Sequence, residues 1–138
     1  MYVLGFPLLL IPFAIYNIVA FLLPGVSLAA PMLHVGMISG GEWTLSGGEA
    51  IITLAVLLLF GEMLKATRIA MRNVIDHVLS LLLFLAMLVE FLLVKQAATG
   101  TFFLLLIVSF VDVIGGFAVT LRSAQRDLTV ERADGTAS

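Results

Sequence analysis

The chain contains no cysteine and little charge. Without cysteine it can form neither disulfides nor thiolate-bound zinc, and it offers no ligand for an iron–sulfur cluster and no thiol nucleophile. Charged residues make up 12% of the 138 positions and apolar residues 62%, whereas a soluble domain carries about a quarter charged residues. The formal net charge of −2 provides no basic footprint for nucleic acid. This composition indicates an integral membrane protein.

Four hydrophobic segments account for most of the chain. A helix needs about 20 apolar residues to cross the hydrocarbon core of a bilayer. On that basis we predict spans at about residues 2–23, 49–66, 74–95 and 101–121. The expected fold class is an all-α integral membrane protein, in which a bundle of four transmembrane helices forms a single domain over residues 1–121.

The first segment has a second interpretation. Ser27, Leu28 and Ala29 fit the small-x-small pattern of a signal-peptide cleavage site. Cleavage there would leave three spans and an external N-terminus. No lysine or arginine precedes the apolar run, and the run is longer than the usual ~7–15 residues of a signal peptide. We therefore expect the segment to be retained.

The basic residues predict the orientation of the spans. Lys95 alone falls in the short connection after the third segment, while the other six follow the second or the fourth segment: Lys65, Arg68, Arg72, Arg122, Arg126 and Arg132. Cytoplasmic loops carry an excess of lysine and arginine. Both termini, including the polar tail 122–138, are therefore expected in the cytoplasm and the loop 24–48 outside. The expected location is the cell membrane, specifically the inner membrane of a bacterium.

The external loop contains a short repeat. The tetrapeptide Ser-Gly-Gly-Glu at residues 39–42 recurs at residues 46–49. The second copy precedes a hydrophobic run and has the form of a capping box, in which serine and glutamate each satisfy a free amide of the first helical turn. The first copy predicts a turn. Trp43, the single tryptophan, is expected at the headgroup level of the membrane.

Ionisable residues inside the spans are the candidate functional positions, because an acid near the bilayer centre costs about 2.5–3.5 kcal/mol on insertion scales. Asp112 lies at the predicted midplane, and no basic residue of its own helix is within reach. Protonation, or pairing with a basic residue of another subunit, would neutralise it. Glu90 lies toward the outside, at the depth of Asn17 in the first span, so we expect Asn17 to donate to Glu90.

Helical spacing groups the polar residues into faces. Ser109, Asp112 and Gly116 form one stripe, with the small residues that let membrane helices approach closely. Ser80 and Glu90 share a face of the third span. We expect the two stripes to pack together, as candidate intramembrane polar or partner-binding positions.

Glu62 is expected to have a structural role. It lies near the cytoplasmic end of the second span, close to Lys65 and Arg68, and charged side chains three or four positions apart on a helix can pair. Glu90 and Asp112 are expected to differ in depth by roughly 5–9 Å, which is loose for an aspartic catalytic pair.

No other catalytic or cofactor chemistry follows from the sequence. His34 lies in the external loop and His77 at the cytoplasmic end of the third span, so they cannot ligate one haem within a single bundle. No glycine–lysine phosphate-binding motif occurs. We therefore expect no enzymatic activity, no metal and no cofactor.

In size and number of spans the chain resembles small four-helix bacterial inner-membrane proteins, among them the small multidrug resistance transporters. The functional glutamate of that family lies in the first helix, where this chain has Asn17, so the family's mechanism does not carry over. Our first hypothesis is an accessory or assembly subunit of a larger membrane complex, with lipid and other membrane subunits or itself as partners. The alternative is a small homo-oligomeric transporter that binds a proton or cation at Asp112 and Glu90.

Overall fold

A computed structural model describes residues 7–66 and 70–136. Within these ranges the chain forms four helices and one β-hairpin. The first helix, α1, is an α-helix over Leu10–Asn17 that continues as a π-helix over Ile18–Leu22. The hairpin strands are β1 (Pro31–Gly36) and β2 (Glu42–Ser46), and the remaining helices are α2 (Gly47–Ala66), α3 (Ala70–Leu93) and α4 (Gly100–Thr136), with a short 3-10 turn at Lys95–Ala97.

Three helices are long and apolar enough to cross a membrane. Their apolar stretches are Gly47–Leu64 in α2, Ile75–Leu93 in α3 and Gly100–Val119 in α4. They correspond to the second, third and fourth predicted spans and, together with the composition, indicate a membrane-embedded protein. α4 does not end near residue 121 but remains helical to Thr136, so most of the expected polar tail extends this helix.

The first hydrophobic segment differs from the predicted span over 2–23, of which residues 2–6 lie outside the described ranges. The helix begins at Leu10, with eight residues of α-helix followed by five of π-helix, which is shorter than a full span. Pro7 precedes the helix. Pro12 lies in its first turn, where the amide that proline lacks has no partner within the helix.

The first segment nevertheless connects the two ends of the bundle. The amide of Leu8 donates to Oε1 of Glu62, near the C-terminal end of α2, at 2.6 Å. The hydroxyl of Tyr16 donates to the carbonyl oxygen of Gln96, in the α3–α4 connection, at 2.9 Å. Glu62 lies about 22 Å from the first residue of α2, at 1.5 Å per residue. The first segment therefore runs antiparallel to α2 over most of its length.

Aromatic contacts fix the register of α3 against α4. The rings meet at intervals of seven residues along both helices, with centroid distances of 6.0, 5.7 and 6.1 Å: His77 with Phe117, Phe84 with Phe110, and Phe91 with Phe103. A seven-residue interval keeps successive contacts on one side of a helix pair. The two helices therefore pack antiparallel in one defined register.

The aromatic core lies where α1 meets α4. Phe102 is fully buried, and its ring lies 6.2 Å from that of Phe13, 5.0 Å from that of Tyr16 and 6.2 Å from that of Phe91. One side chain of α4 thus contacts rings of both α1 and α3.

The expected external loop contains a β-hairpin that the sequence analysis did not predict. β1 and β2 pair antiparallel, with Leu33 opposite Leu45 and Val35 opposite Trp43. The first copy of the tetrapeptide lies at its turn, where Gly40 has a φ of 90°, a conformation that favours glycine. Trp43 is 44% exposed.

The second copy of the tetrapeptide caps α2. The amide of Ser46 donates to Oε2 of Glu49 at 3.0 Å, and the amide of Glu49 donates to Oγ of Ser46 at 3.2 Å. The predicted capping box is therefore confirmed.

Replacing the capping serine should destabilise the protein. We expect Ser46→Ala to lower the free energy of unfolding by about 1 kcal/mol, because an amide at the start of α2 loses its acceptor. The matched control is Ser39→Ala in the first copy, where the hydroxyl accepts only a long 3.4 Å bond from Gly41. Unfolding by sodium dodecyl sulfate in mixed micelles, followed by circular dichroism, measures both. Equal losses would contradict the distinct roles of the two copies.

Truncating the buried Phe102 side chain should lower the free energy of unfolding more than Ser46→Ala does. We expect Phe102→Ala to lower the free energy of unfolding by about 3 kcal/mol, because a buried phenylalanine leaves a cavity. Phe60→Ala is the control, since Phe60 is 66% exposed on α2 and its loss should cost about 0.5 kcal/mol or less. The same unfolding assay applies, and a Phe102→Ala loss no larger than that of the control would contradict a core position.

Candidate functional site

Four polar side chains are buried in the part of the chain that the structure describes. Their exposed fractions are 6%, 4%, 1% and 5%, in the order Glu62, Ser80, Ser109 and Asp112. We call these four residues the polar layer. They come from the three long helices.

The pairing of α2 with α4 places two acids of the polar layer at similar depth. The two helices run parallel, and a Cβ added at Gly115 of α4 would meet the end of the Met63 side chain of α2. Glu62 is therefore level with about residue 114 of α4. Asp112 lies two positions away along α4, which is about 3 Å of depth at 1.5 Å per residue. The similar depth of Glu62 and Asp112 was not predicted from the sequence.

The pairing of α3 with α4 adds a serine at the same depth. Phe84 of α3 contacts Phe110 of α4, and Ser80 lies four positions before Phe84. In this antiparallel pair Ser80 is therefore also level with about residue 114. Ser109 completes the polar layer, and its hydroxyl has no hydrogen-bond partner among the described atoms.

Glu90 lies outside this layer. Its neighbour Phe91 contacts Phe103, so Glu90 is level with about residue 104 of α4. That position is about 12 Å from Asp112 along the helix axis, at 1.5 Å per residue. The separation exceeds the expected 5–9 Å. Two carboxylates share a proton when they lie about 3 Å apart, so Glu90 and Asp112 do not form such a pair.

Glu90 instead joins α3 to α1. The side chain of Asn17 lies close enough to the Glu90 carboxylate to interact with it, as expected from their depths. The Asn17 amide also donates to the carbonyl oxygen of Phe13 at 3.0 Å. The second carboxylate oxygen of Glu90, Oε2, is buried without a hydrogen-bond partner among the described atoms.

Glu62 bonds to the residues that lead into the first helix. The N-cap residue of α1, Leu9, makes no side-chain hydrogen bond. The Glu62 carboxylate accepts from the amide of Leu8, 54 positions away in the sequence, and places negative charge near the positive end of the α1 dipole. The side chain of Lys65 and the whole of Arg68 lie outside the described residues, so the expected ion pairs stay predictions.

The predicted stripe of α4 faces the interior. Ser109, Asp112 and Gly116 are all buried. Asp112 also has an interaction partner within the chain. The two states expected for it from the sequence, protonated or paired with a basic residue of another subunit, stay predictions.

No group of three or more histidine, aspartate or glutamate side chains in residues 7–66 and 70–136 is placed to hold a metal ion. The chain matches no protein-family model, no curated protein and no solved structure. The polar layer and the exposed helix faces are therefore the features from which a function can be proposed.

Removing the Glu62 carboxylate should loosen the start of α1. We expect Glu62→Leu to speed amide hydrogen exchange over residues 7–13 by about tenfold, because a hydrogen bond to a charged group contributes about 1.5–3 kcal/mol. Glu62→Gln keeps an acceptor oxygen of similar size and should restore part of the protection. Hydrogen exchange with mass spectrometry in lipid nanodiscs measures this segment. Unchanged exchange in Glu62→Leu would show that the Leu8 bond does not hold α1.

Proposed function

We propose that this chain is a non-enzymatic membrane protein that acts as an accessory or assembly subunit of a larger membrane complex. Its intramembrane acids contact other parts of the same chain, and this supports the role. Glu62 accepts from the amide of Leu8 just before α1, Glu90 interacts with Asn17, and Asp112 has an interaction partner within the chain. These contacts hold the helices of one chain together and leave an apolar outer surface for lipid and other helices.

The observation that carries the proposal is the exposed face of α3. In the apolar stretch of α3 17% of the residues are buried, against 28% in α2 and 33% in α4. Leu81, Leu93 and six further branched aliphatic residues of α3 are exposed. The six recur at alternating intervals of three and four, and we call them the α3 outer stripe: Ile75, Val78, Leu82, Leu85, Val89 and Leu92. This is the spacing through which two helices pack side by side.

For the membrane arrangement we propose a four-helix transmembrane bundle in a bacterial inner membrane, with both termini cytoplasmic. The excess of basic residues after the second and fourth segments supports this orientation. The hydrogen bond between Leu8 and Glu62 supports it as well, because it brings the start of the first segment to the end of the bundle where α2 finishes.

The polar layer favours the alternative, a small homo-oligomeric transporter. Glu62 and Asp112 lie at nearly the same depth on packed helices, and buried acids in that relation can bind a proton or a cation. Four helices are too few to enclose a pathway, so this function requires at least a dimer. Glu90 would then serve as a positioning residue for α1.

The mass of the intact complex distinguishes the two functions. We expect the full chain, extracted from native membranes in mild detergent, to have a heteromeric mass. Replacing Leu82 and Val89 together with alanine should lower recovery of the co-purified chains about tenfold, equivalent to about 1.4 kcal/mol of association energy. The matched control replaces Leu57 and Phe60 with alanine on the exposed face of α2. This variant should retain the co-purified chains.

Two results would contradict this expectation. A homodimer or homotrimer without other chains would favour the transporter, and pH-dependent ligand binding in proteoliposomes should then be lost in Asp112→Asn. A heteromer weakened equally by both double variants would show that the α3 outer stripe is not the contact surface.

A further inference from the structure

An open cleft of about 1070 Å³ lies at the end of the bundle where α2 and α4 begin. Its lining comes from the π-helical part of α1, the segment leading to β1, the first turns of α2 and the α3–α4 connection. Binding sites for small molecules have volumes of about 300–1,000 Å³. The cleft is therefore large enough for part of a lipid-sized molecule.

The lining combines two kinds of side chain. Apolar side chains come from α1, the following segment, α2 and α4: Val19, Leu23, Leu28, Ile52 and Leu104. Hydroxyl groups come from Tyr16, Ser27, Thr44, Ser46, Thr53, Thr99 and Thr101. Such a lining suits a molecule with an apolar chain and a polar head.

The charge of the lining selects against an anionic head. Among the described lining residues no lysine or arginine occurs, and Glu49 is the charged one. Helix N-termini attract anions, but some of the amides at both helix starts are already bonded. The Gly48 amide donates to the carbonyl of Leu28 at 2.8 Å, and the Phe102 amide to the hydroxyl of Thr99 at 3.2 Å.

The polar side of the cleft is held in place by its own hydrogen bonds. Oη of Tyr16 lies 2.9 Å from the carbonyl oxygen of Gln96 and 2.7 Å from Oγ1 of Thr99. Thr53 donates to the carbonyl oxygen of Glu49 at 2.8 Å. The hydroxyl groups therefore have defined positions before a ligand arrives, which lowers the entropic cost of binding.

We propose that this cleft binds a lipid with an uncharged, hydroxyl-bearing head group, of the diacylglycerol class, in preference to an anionic phospholipid. The acyl chains contact the apolar side chains of α1, α2 and α4, and the head group hydrogen-bonds to the threonine hydroxyls. This site is independent of the polar layer and of the α3 outer stripe.

A competition between two lipids with the same acyl chains tests the proposal. The delipidated full-length protein is mixed with equimolar dioleoylglycerol and dioleoylphosphatidylglycerol. Native mass spectrometry then identifies and quantifies the lipid adducts by their mass. We expect diacylglycerol adducts to exceed phosphatidylglycerol adducts about fivefold, equivalent to about 1 kcal/mol.

Two variants separate the charge of the cleft from its shape. Glu49→Gln removes the carboxylate but keeps the capping box, because glutamine serves in that motif, so the preference should fall toward equal binding. Ala20→Phe fills the apolar side and should reduce both adducts. Val56→Phe on the exposed face of α2 is the matched control and should change neither.

Three results would overturn the proposal: equal binding of the two lipids by the unaltered protein, preference for phosphatidylglycerol, or a Glu49→Gln protein with the unaltered ratio. A thermal melt by circular dichroism establishes whether Ala20→Phe still folds. The Glu49→Gln result is decisive in either case, because that variant retains the helix cap.

Discussion

Hydrocarbon offers a polar group no hydrogen-bond partner, so polar atoms among apolar helices need partners from the chain itself. This constraint explains how the short first helix is held. The amide of Leu8 bonds to Glu62, Asn17 interacts with Glu90, and Tyr16 bonds to the α3–α4 connection. The Leu8 contact lies at the beginning of the segment, just before α1, and the Tyr16 and Asn17 contacts lie together near the end of its α-helical part. A helix too short to span by itself is thereby fixed along the bundle.

α4 is the helix that the other elements share. Phe102 places one ring of α4 against α1 and α3 together, while Gly48 and Gly115 let α2 and α4 approach closely. The recurring ring pairs of α3 and α4 then fix the depth of every residue on those helices. The alignment of the polar layer follows from this packing, because Ser80 and Asp112 are placed by the same register.

Local signals in the sequence were sufficient for some elements and not for others. Hydropathy predicted the three long helices, and the spacing of Ser46 and Glu49 predicted the cap of α2, since both depend on neighbours in the chain. The partner of Glu62 could not be predicted, because Leu8 is 54 positions away and no residue type marks a backbone amide. The hairpin had a signal in the apolar–polar alternation around Val35 and Trp43, which the glycine-rich repeat obscured.

The polar layer has a cost that an apolar core would avoid, since an acid near the bilayer centre costs about 2.5–3.5 kcal/mol on insertion scales. A seam of leucines alone packs nearly as well when one helix slides by a heptad, whereas a buried polar residue specifies register at some expense of stability. Glu62 reaches the amide of Leu8 in one register of α1 against α2. A separate contact, the packing of α2 against α4, brings Glu62 level with Asp112. Glu62 therefore both fixes the first segment and lies at the depth of the second buried acid, Asp112, so a substitution at Glu62 changes the register contact and the pair of acids together.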